Sequence, residues 1–343
     1  MNDKVKINSN KSKHSLDTLE VTLDFFKDKT HAKQYYKAIR KFKTSSKILS
    51  IVDSLEDKSQ TKTYWKSYHC NSVLLQDNHV FKGSLCRKRF CTECNRIKTA
   101  ELTNGYKEPM LNLGKLYFVT LTTPNVQGSD LNKEIKRMIK AFQLIKNNLR
   151  NAYKIKINGI RKIEITYNQE SNTYHPHFHL IQDDLNASNL IQALWIKQFP
   201  KASIKAQDIR EINSKDESAF IELFKYATKE TNSKGAIYPG EVLHTIYSAI
   251  TGIRIYQTYG TIKKVKTPIE AKQNDIEIDF LEPKQDIWIF EQDQKDWINT
   301  EYEPLVNTLE IEQLIETKKL IKSKQKIIPL NYAENNQRKN AKT

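Results

Sequence analysis

The stretch YHPHFHLI, residues 174–181, alternates its side chains with a period of two, and that period fixes how it can fold. Successive side chains of a β-strand point to opposite faces, so His175, His177 and His179 share one face while Phe178 enters the opposite layer. RKIEITYN (161–168) has the same strand character, and the polar QESNT (169–173) joins the two as a hairpin. With the turn centred between Glu170 and Ser171, antiparallel pairing sets Glu164 opposite His177. Residues so opposed share a face with Cβ atoms about 5 Å apart.

The flanking sequence extends this hairpin into a larger unit. KLYFVTLTTPN (115–125) is a β-branched and aromatic run stopped by Pro124, the signature of a buried strand. Ser129 is positioned to cap a helix in which Leu131, Ile135, Met138, Ile139, Phe142, Ile145 and Leu149 recur at helical spacing. Leu190, Ile191, Leu194 and Trp195 predict a helix ending before Pro200, SIKAQDIREIN (203–213) predicts a strand, and SKDE (214–217) is a capping box opening another helix. The order is βαββαβ, the split, ferredoxin-like arrangement. The expected fold class is α+β, an antiparallel sheet covered by helices on one face.

The helix opened at Ser214 has Ala219, Phe220, Leu223, Phe224 and Ala227 as its packing stripe. At 100° per residue Glu222, Tyr226 and Lys229 fall within an arc of about 60°, off that stripe. A carboxylate, a phenol and an ammonium thus share one accessible edge. In a chain with 16 tyrosines an ordinary boundary tyrosine beside a Lys/Glu pair would explain this, were it not for the histidines. Three of the eight histidines converge on one strand face, a geometry suited to a metal because neutral imidazole is a ready ligand. His177 and His179 are the firm candidate ligands, with Glu164 and His175 as rivals for the third position. A divalent ion there would polarise a phosphate for attack by a phenol, which is otherwise a weak nucleophile. Phosphoryl chemistry favours Mg or Mn.

All four cysteines fall between 61 and 100, spaced Cys70-x15-Cys86-x4-Cys91-x2-Cys94. No run of about 18 apolar residues occurs and no apolar stretch follows the charges of the first residues, so the expectation is a cytoplasmic, membrane-free protein with reduced cysteines. The spacing then favours a structural zinc site over merely buried thiols, with His69 a possible substitute ligand. Arg87, Lys88, Arg89 and Arg96 lie among these cysteines as candidate phosphate contacts, and Lys225 is another.

Charge points to the same class of partner. The net charge is +16, but residues 270–303 hold 11 acids against Lys272, Lys284 and Lys295, a local −8 that leaves +24 on the remainder. A surface so basic suits a polyanion, although charge alone carries no chemistry. The expected organisation is a basic helical region over 1–60, a Cys-rich module over 61–100, a catalytic domain over 101–262, and an acidic then Lys-rich extension over 263–343.

At this point the chain resembles a known family. The HPHFH strand looks like the central motif of the HUH endonucleases. FVTLTTPN (118–125), TYHPHFHLI (173–181) and ELFKYATK (222–229) are similar to the first, second and third motifs of rolling-circle replication initiators of small Gram-positive plasmids, and LCRKRFCTEC (85–94) matches their N-terminal region. The resemblance covers roughly residues 65–260. It implies that Tyr226 attacks DNA to leave a 3′-hydroxyl primer and a 5′-phosphotyrosine, that Glu222 activates water in the terminating cleavage, and that Lys229 or Lys225 offsets phosphate charge. Tyr247, Tyr256 and Tyr259 remain candidate helpers. The implied partners are double- and single-stranded origin DNA and host polymerase. A host helicase is expected as well, since no GxxxxGK[ST] loop occurs. Two other readings compete: a relaxase or single-strand transposase of the same chemistry, and a zinc-dependent DNA-binding regulator without catalysis. Many relaxases carry their tyrosine before the histidines, whereas Tyr226 follows them.

Overall fold

The computed structural model describes residues 25–77, 80–212, 218–225, 230–232, 235–266 and 286–319. The expected capping box at 214–217, Tyr226, Ala227, Lys229, much of the acidic segment and the Lys-rich tail lie outside the described residues. In chain order the main elements are α1 (Lys29–Ser54), α2 (Lys62–Tyr68), β1 (Val73–Asp77), β2 (Val80–Gly83), α3 (Thr92–Leu111), β3 (Leu116–Thr122), α4 (Leu131–Asn151), β4 (Gly159–Asn168), β5 (Thr173–Gln182), α5 (Leu185–Gln198), β6 (Asp208–Ile212), α6 (Ser218–Phe224), α7 (Gly240–Ala249), β7 (Tyr256–Tyr259), β8 (Asp286–Glu291) and β9 (Asp296–Ile298). A further helix covers 308–319. No helix among the described residues is long and apolar enough to cross a membrane.

Five strands form an antiparallel sheet in the order β6-β3-β5-β4-β7, so the chain is α+β. Its central strand is the histidine strand. The predicted hairpin is present with the predicted register, Glu164 opposite His177. Both faces of this sheet are covered, not one. On one side Phe178, Ile163 and Leu121 pack under α4 and α5, with Phe142 and Trp195 in the same cluster. On the other, Phe118, Ile160 and Ile181 meet Leu102 of α3 and Phe220, Leu223 and Phe224 of α6. Two apolar layers explain why β3 is hydrophobic without alternation: a strand buried on both sides has no face to leave polar.

Two local expectations need correction. Ser129 does not cap α4; it sits inside a single 3-10 turn, Gly128–Asp130, and the helix begins at Leu131. The run 203–213 is not one strand, because a 3-10 turn over Ile204–Ala206 precedes β6. Gln207 makes that corner: its Oε1 accepts from Thr122 N at 2.8 Å, and its Nε2 donates to Thr122 Oγ1 and Ser203 O at 2.8 Å each.

A second antiparallel sheet has the order β2-β1-β8-β9. Leu74 stands opposite Trp288, so a strand beside the cysteines pairs with one more than 200 residues later. Ala38 of α1, Leu74 and Trp297 form its fully buried cluster. Farther along the same helix, Ile48 and Ile51 enter the core of the main sheet, so α1 joins the two. Gly240 lets α7 reach α1, since a Cβ there would stand 2.0 Å from Ser50 O.

Candidate active site

The pleat of β5 turns His175, His177 and His179 to the α3/α6 side of the sheet. Their partners there are fixed by register: Thr166, Glu164 and Lys162 on β4, and Thr122 and Thr120 on β3 opposite His177 and His179. His177 Nε2 lies 3.8 Å from Glu164 Oε1, and His179 Nε2 lies 3.5 Å from Glu164 Oε2. Ligand atoms of these three residues all fall within 4.8 Å of one another, and His175 is not in the group. The His175 carbonyl does contribute. It lies 3.1 Å from His177 Nδ1, and a carbonyl can only accept, so Nδ1 carries the proton and Nε2 keeps its lone pair toward Glu164.

The electrostatics suit a cation. Burial pushes the His177 imidazole down to about 3, so it is neutral at ordinary pH. Burial alone would raise the Glu164 carboxyl, but the Lys162 ammonium, and after it a hydrogen bond with His179, hold it well below the usual carboxylate range. Two imidazoles and one carboxylate are a standard donor set for a divalent ion. Ligands about 2.1 Å from such an ion stand roughly 3.0–3.4 Å apart, so the two His–Glu separations of 3.5 and 3.8 Å would contract by up to about 0.8 Å around a bound ion.

Lys162 escaped the sequence reading. It has no exposed surface. Its Nζ donates to Glu164 Oε2 at 2.6 Å and to the Glu222 carbonyl at 3.1 Å, linking the metal-type carboxylate to α6. The signal was available, since Lys162 stands two residues before Glu164 and so on the same face.

In α6, Ala219, Phe220, Leu223 and Phe224 are buried as expected, and Tyr106 stacks on Phe224. Glu222 sits on the partly exposed edge and pairs with Lys225. Tyr226 and Lys229 follow outside the described residues. The three helper tyrosines are all engaged in packing. The Tyr256 hydroxyl donates to the Phe224 and Lys225 carbonyls at 2.9 and 3.0 Å, that of Tyr259 to Gln182 Oε1 at 3.5 Å, and that of Tyr247 to Glu230.

The four cysteines form a second candidate metal group, and His69 is not part of it. Cys70 and Cys94 sulfurs lie 3.6 Å apart, and Cys86 and Cys94 sulfurs 3.7 Å. These are not disulfide lengths. They match the edge of about 3.8 Å expected for four thiolates around zinc at about 2.3 Å. The backbone N–H groups of Cys86, Arg87, Lys88 and Cys94 point at the sulfurs of Cys70, Cys94, Cys86 and Cys91 at 3.3–3.5 Å, which stabilises thiolate charge. The donor set fits zinc.

The basic residues of this module divide by use. Arg89 donates to the Ile250 and Ile253 carbonyls at 2.8 and 2.7 Å, tying the module to the end of α7. Arg96 pairs with Glu93 at 2.9 Å, a carboxylate that Arg40 also contacts. Arg87, Lys88 and Arg254 line a cleft of about 760 Å³ whose walls include Tyr106, Ile160 and Tyr256.

An α+β frame carrying a buried Glu/His/His group and a four-cysteine group defines a protein with two candidate metal centres. A family described as replication protein matches residues 77–304, which takes in the Glu164, His177 and His179 group and three of the four cysteines, with Cys70 just before it. The chain belongs to that family. Among its relatives, a Protein rep of Staphylococcus aureus is 29% identical over 189 residues, 48% of this chain and 80% of the relative. A Protein rep of Streptococcus pneumoniae is 24% identical over 211 residues, 56% of this chain and 65% of the relative. A Replication protein of Staphylococcus aureus is 31% identical over 132 residues, 34% of this chain and 56% of the relative. No solved structure matches the chain.

Proposed function

We propose that this replication protein is a plasmid rolling-circle initiator of the HUH endonuclease type, which nicks one strand of origin DNA through a tyrosine. The observation that carries the reading is the Glu164, His177 and His179 group on the sheet face that α6 covers. Those three residues would hold a divalent ion, Mg or Mn, which supplies Lewis-acid polarisation of the scissile phosphate.

The Tyr226 phenol oxygen attacks phosphorus and loses its proton. The bond from phosphorus to the 3′-oxygen breaks, and that oxygen takes up a proton to become a free 3′-hydroxyl. The 5′-phosphate stays on Tyr226, which preserves the energy needed to rejoin a strand. The free 3′ end is then open to a host polymerase, with a host helicase separating the strands. Glu222, four residues before Tyr226 in sequence and partly exposed, would accept a proton from water in the terminating cleavage. Lys225 and Lys229 offset negative charge near the phosphate. The four-cysteine group would hold zinc in a structural role. Arg87 and Lys88 on its loop line one cleft with Arg254 and the aromatic Tyr106, Tyr247 and Tyr256, a combination suited to unpaired bases and their phosphates.

Incubation of the protein with supercoiled DNA bearing its origin and Mn²⁺ tests this. The expected product is an open circle with protein covalently attached at a 5′ end, and its formation is blocked by EDTA. A shift in mobility with no break under any divalent ion would instead mark a non-catalytic DNA-binding regulator.

A further inference from the structure

We infer that Tyr256 and Lys162 are positioning residues that set where the nucleophile stands relative to the Glu164, His177 and His179 group; this rests on the assignment of Tyr226 as that nucleophile. The last carbonyls of any helix lack partners within it. At the end of α6 side chains from three other elements take them up. Lys162 of β4 donates to Glu222 O at 3.1 Å, Thr99 of α3 donates to Phe224 O at 2.8 Å, and Tyr256 of β7 donates to Phe224 O and Lys225 O at 2.9 and 3.0 Å.

The bond to Lys225 O matters most. That oxygen belongs to the peptide plane between residues 225 and 226, and such a plane holds the nitrogen and Cα of the following residue rigidly, with consecutive Cα atoms about 3.8 Å apart. A grip on Lys225 O is therefore a grip on the backbone from which the Tyr226 side chain leaves. Lys162 supplies the other half of the arrangement, since the same ammonium holds Glu164 Oε2 at 2.6 Å. One cation thus spans from the carboxylate of the metal-type group to the helix leading to the tyrosine.

The chain is held again on the far side of Tyr226. Glu230 accepts from Lys47 Nζ of α1 at 2.7 Å and from the Tyr247 hydroxyl of α7, and its carbonyl accepts from Tyr238 N at 2.9 Å. Four residues, 226–229, separate the two anchors. This double tethering serves the chemistry of an in-line displacement, in which misplacing the attacking oxygen by about 1 Å costs on the order of 10²-fold in rate.

The test uses Tyr256→Phe in the full chain, which removes both hydroxyl bonds and keeps the ring against Phe224. Single-turnover adduct formation is measured on a single-stranded origin oligonucleotide with Mn²⁺, beside wild type and Tyr226→Phe. The expected result is a fall in the maximal rate of about 10- to 100-fold, with the oligonucleotide concentration at half-maximal rate and the Mn²⁺ affinity both unchanged. A lesion that merely loosened the fold would weaken oligonucleotide and metal binding as well, and that outcome overturns the inference. So does a full rate in Tyr256→Phe while Tyr226→Phe forms no adduct, which would leave the nucleophile assignment intact. An adduct retained in Tyr226→Phe, or mapped to Tyr256, removes the nucleophile assignment and the positioning role with it. Lys162→Arg, which keeps a cationic donor, is expected to retain more rate than Lys162→Met; equal rates for the two overturn the role of Lys162.

Discussion

Lys162 places an ammonium where no surface is exposed; the Glu164 carboxylate and the Glu222 carbonyl accept from it, and the Glu222 charge favours it as well. Removing one member of a buried ion pair costs about 3–5 kcal/mol, because the other charge is left uncompensated. Lys162→Met is therefore expected to lower the melting temperature in EDTA. Saturating Mn²⁺ should close part of the gap to wild type, since the ion supplies the positive charge that Glu164 has lost and binds the folded chain preferentially. A gap of the same size in EDTA and in Mn²⁺ would show that Lys162 and the ion do not share Glu164. Glu164 itself was legible in the sequence: the polar linker after Asn168 fixes the hairpin register, its last residue Thr173 pairing with Asn168, and register decides which carboxylate faces which histidine. The choice between Glu164 and His175 was not legible, because all three histidines and Glu164 point to one face. It takes the ring geometry, in which the His175 carbonyl orients His177 while the His175 ring stays outside the group, to separate them.

At the scale of elements, the four-cysteine loop and α3 stabilise each other. Cys91 caps α3 through its sulfur, Cys94 lies in the first turn, and Arg89 ties the loop to α7. A bound zinc would join the ends of this loop, so the purified chain is expected to carry about one equivalent, with Cys86→Ser losing it and melting at a lower temperature. Metal analysis beside a thermal melt checks this; a zinc-free wild type as stable as one supplied with zinc would contradict it. The strands and α4 could be anticipated because each shows its own period, apolar residues at helical spacing in α4 and alternation in β5. The cover on the second face could not, since α3 is polar on average with little amphipathic pattern and α6 is short, and their burial is decided by each other and by Phe118 and Ile160. The second sheet was hidden for a related reason. β1 and β8 are short and far apart in sequence, and no local signal announces that Leu74 meets Trp288.

For the whole molecule, the arrangement brings together residues that are distant in sequence. Helix α1 runs from the small sheet to the core of the main one, and its Lys47 anchors Glu230 just beyond the nucleophile motif. A net charge of +16 would give the molecule a long-range attraction for DNA that weakens with salt, and under the proposed function the cleft beside the cysteine loop would take an unpaired strand. Neither charge nor cleft decides whether a bond is broken. That rests on the pairing of the Glu164, His177 and His179 group with Tyr226, and it is tested most directly by mapping the peptide that carries DNA after incubation with cognate single-stranded DNA and Mn²⁺. The account predicts a single 5′-phosphotyrosine at Tyr226, absent in Tyr226→Phe and absent without the divalent ion. A covalent adduct on any other residue, or full adduct formation by Tyr226→Phe, would contradict it.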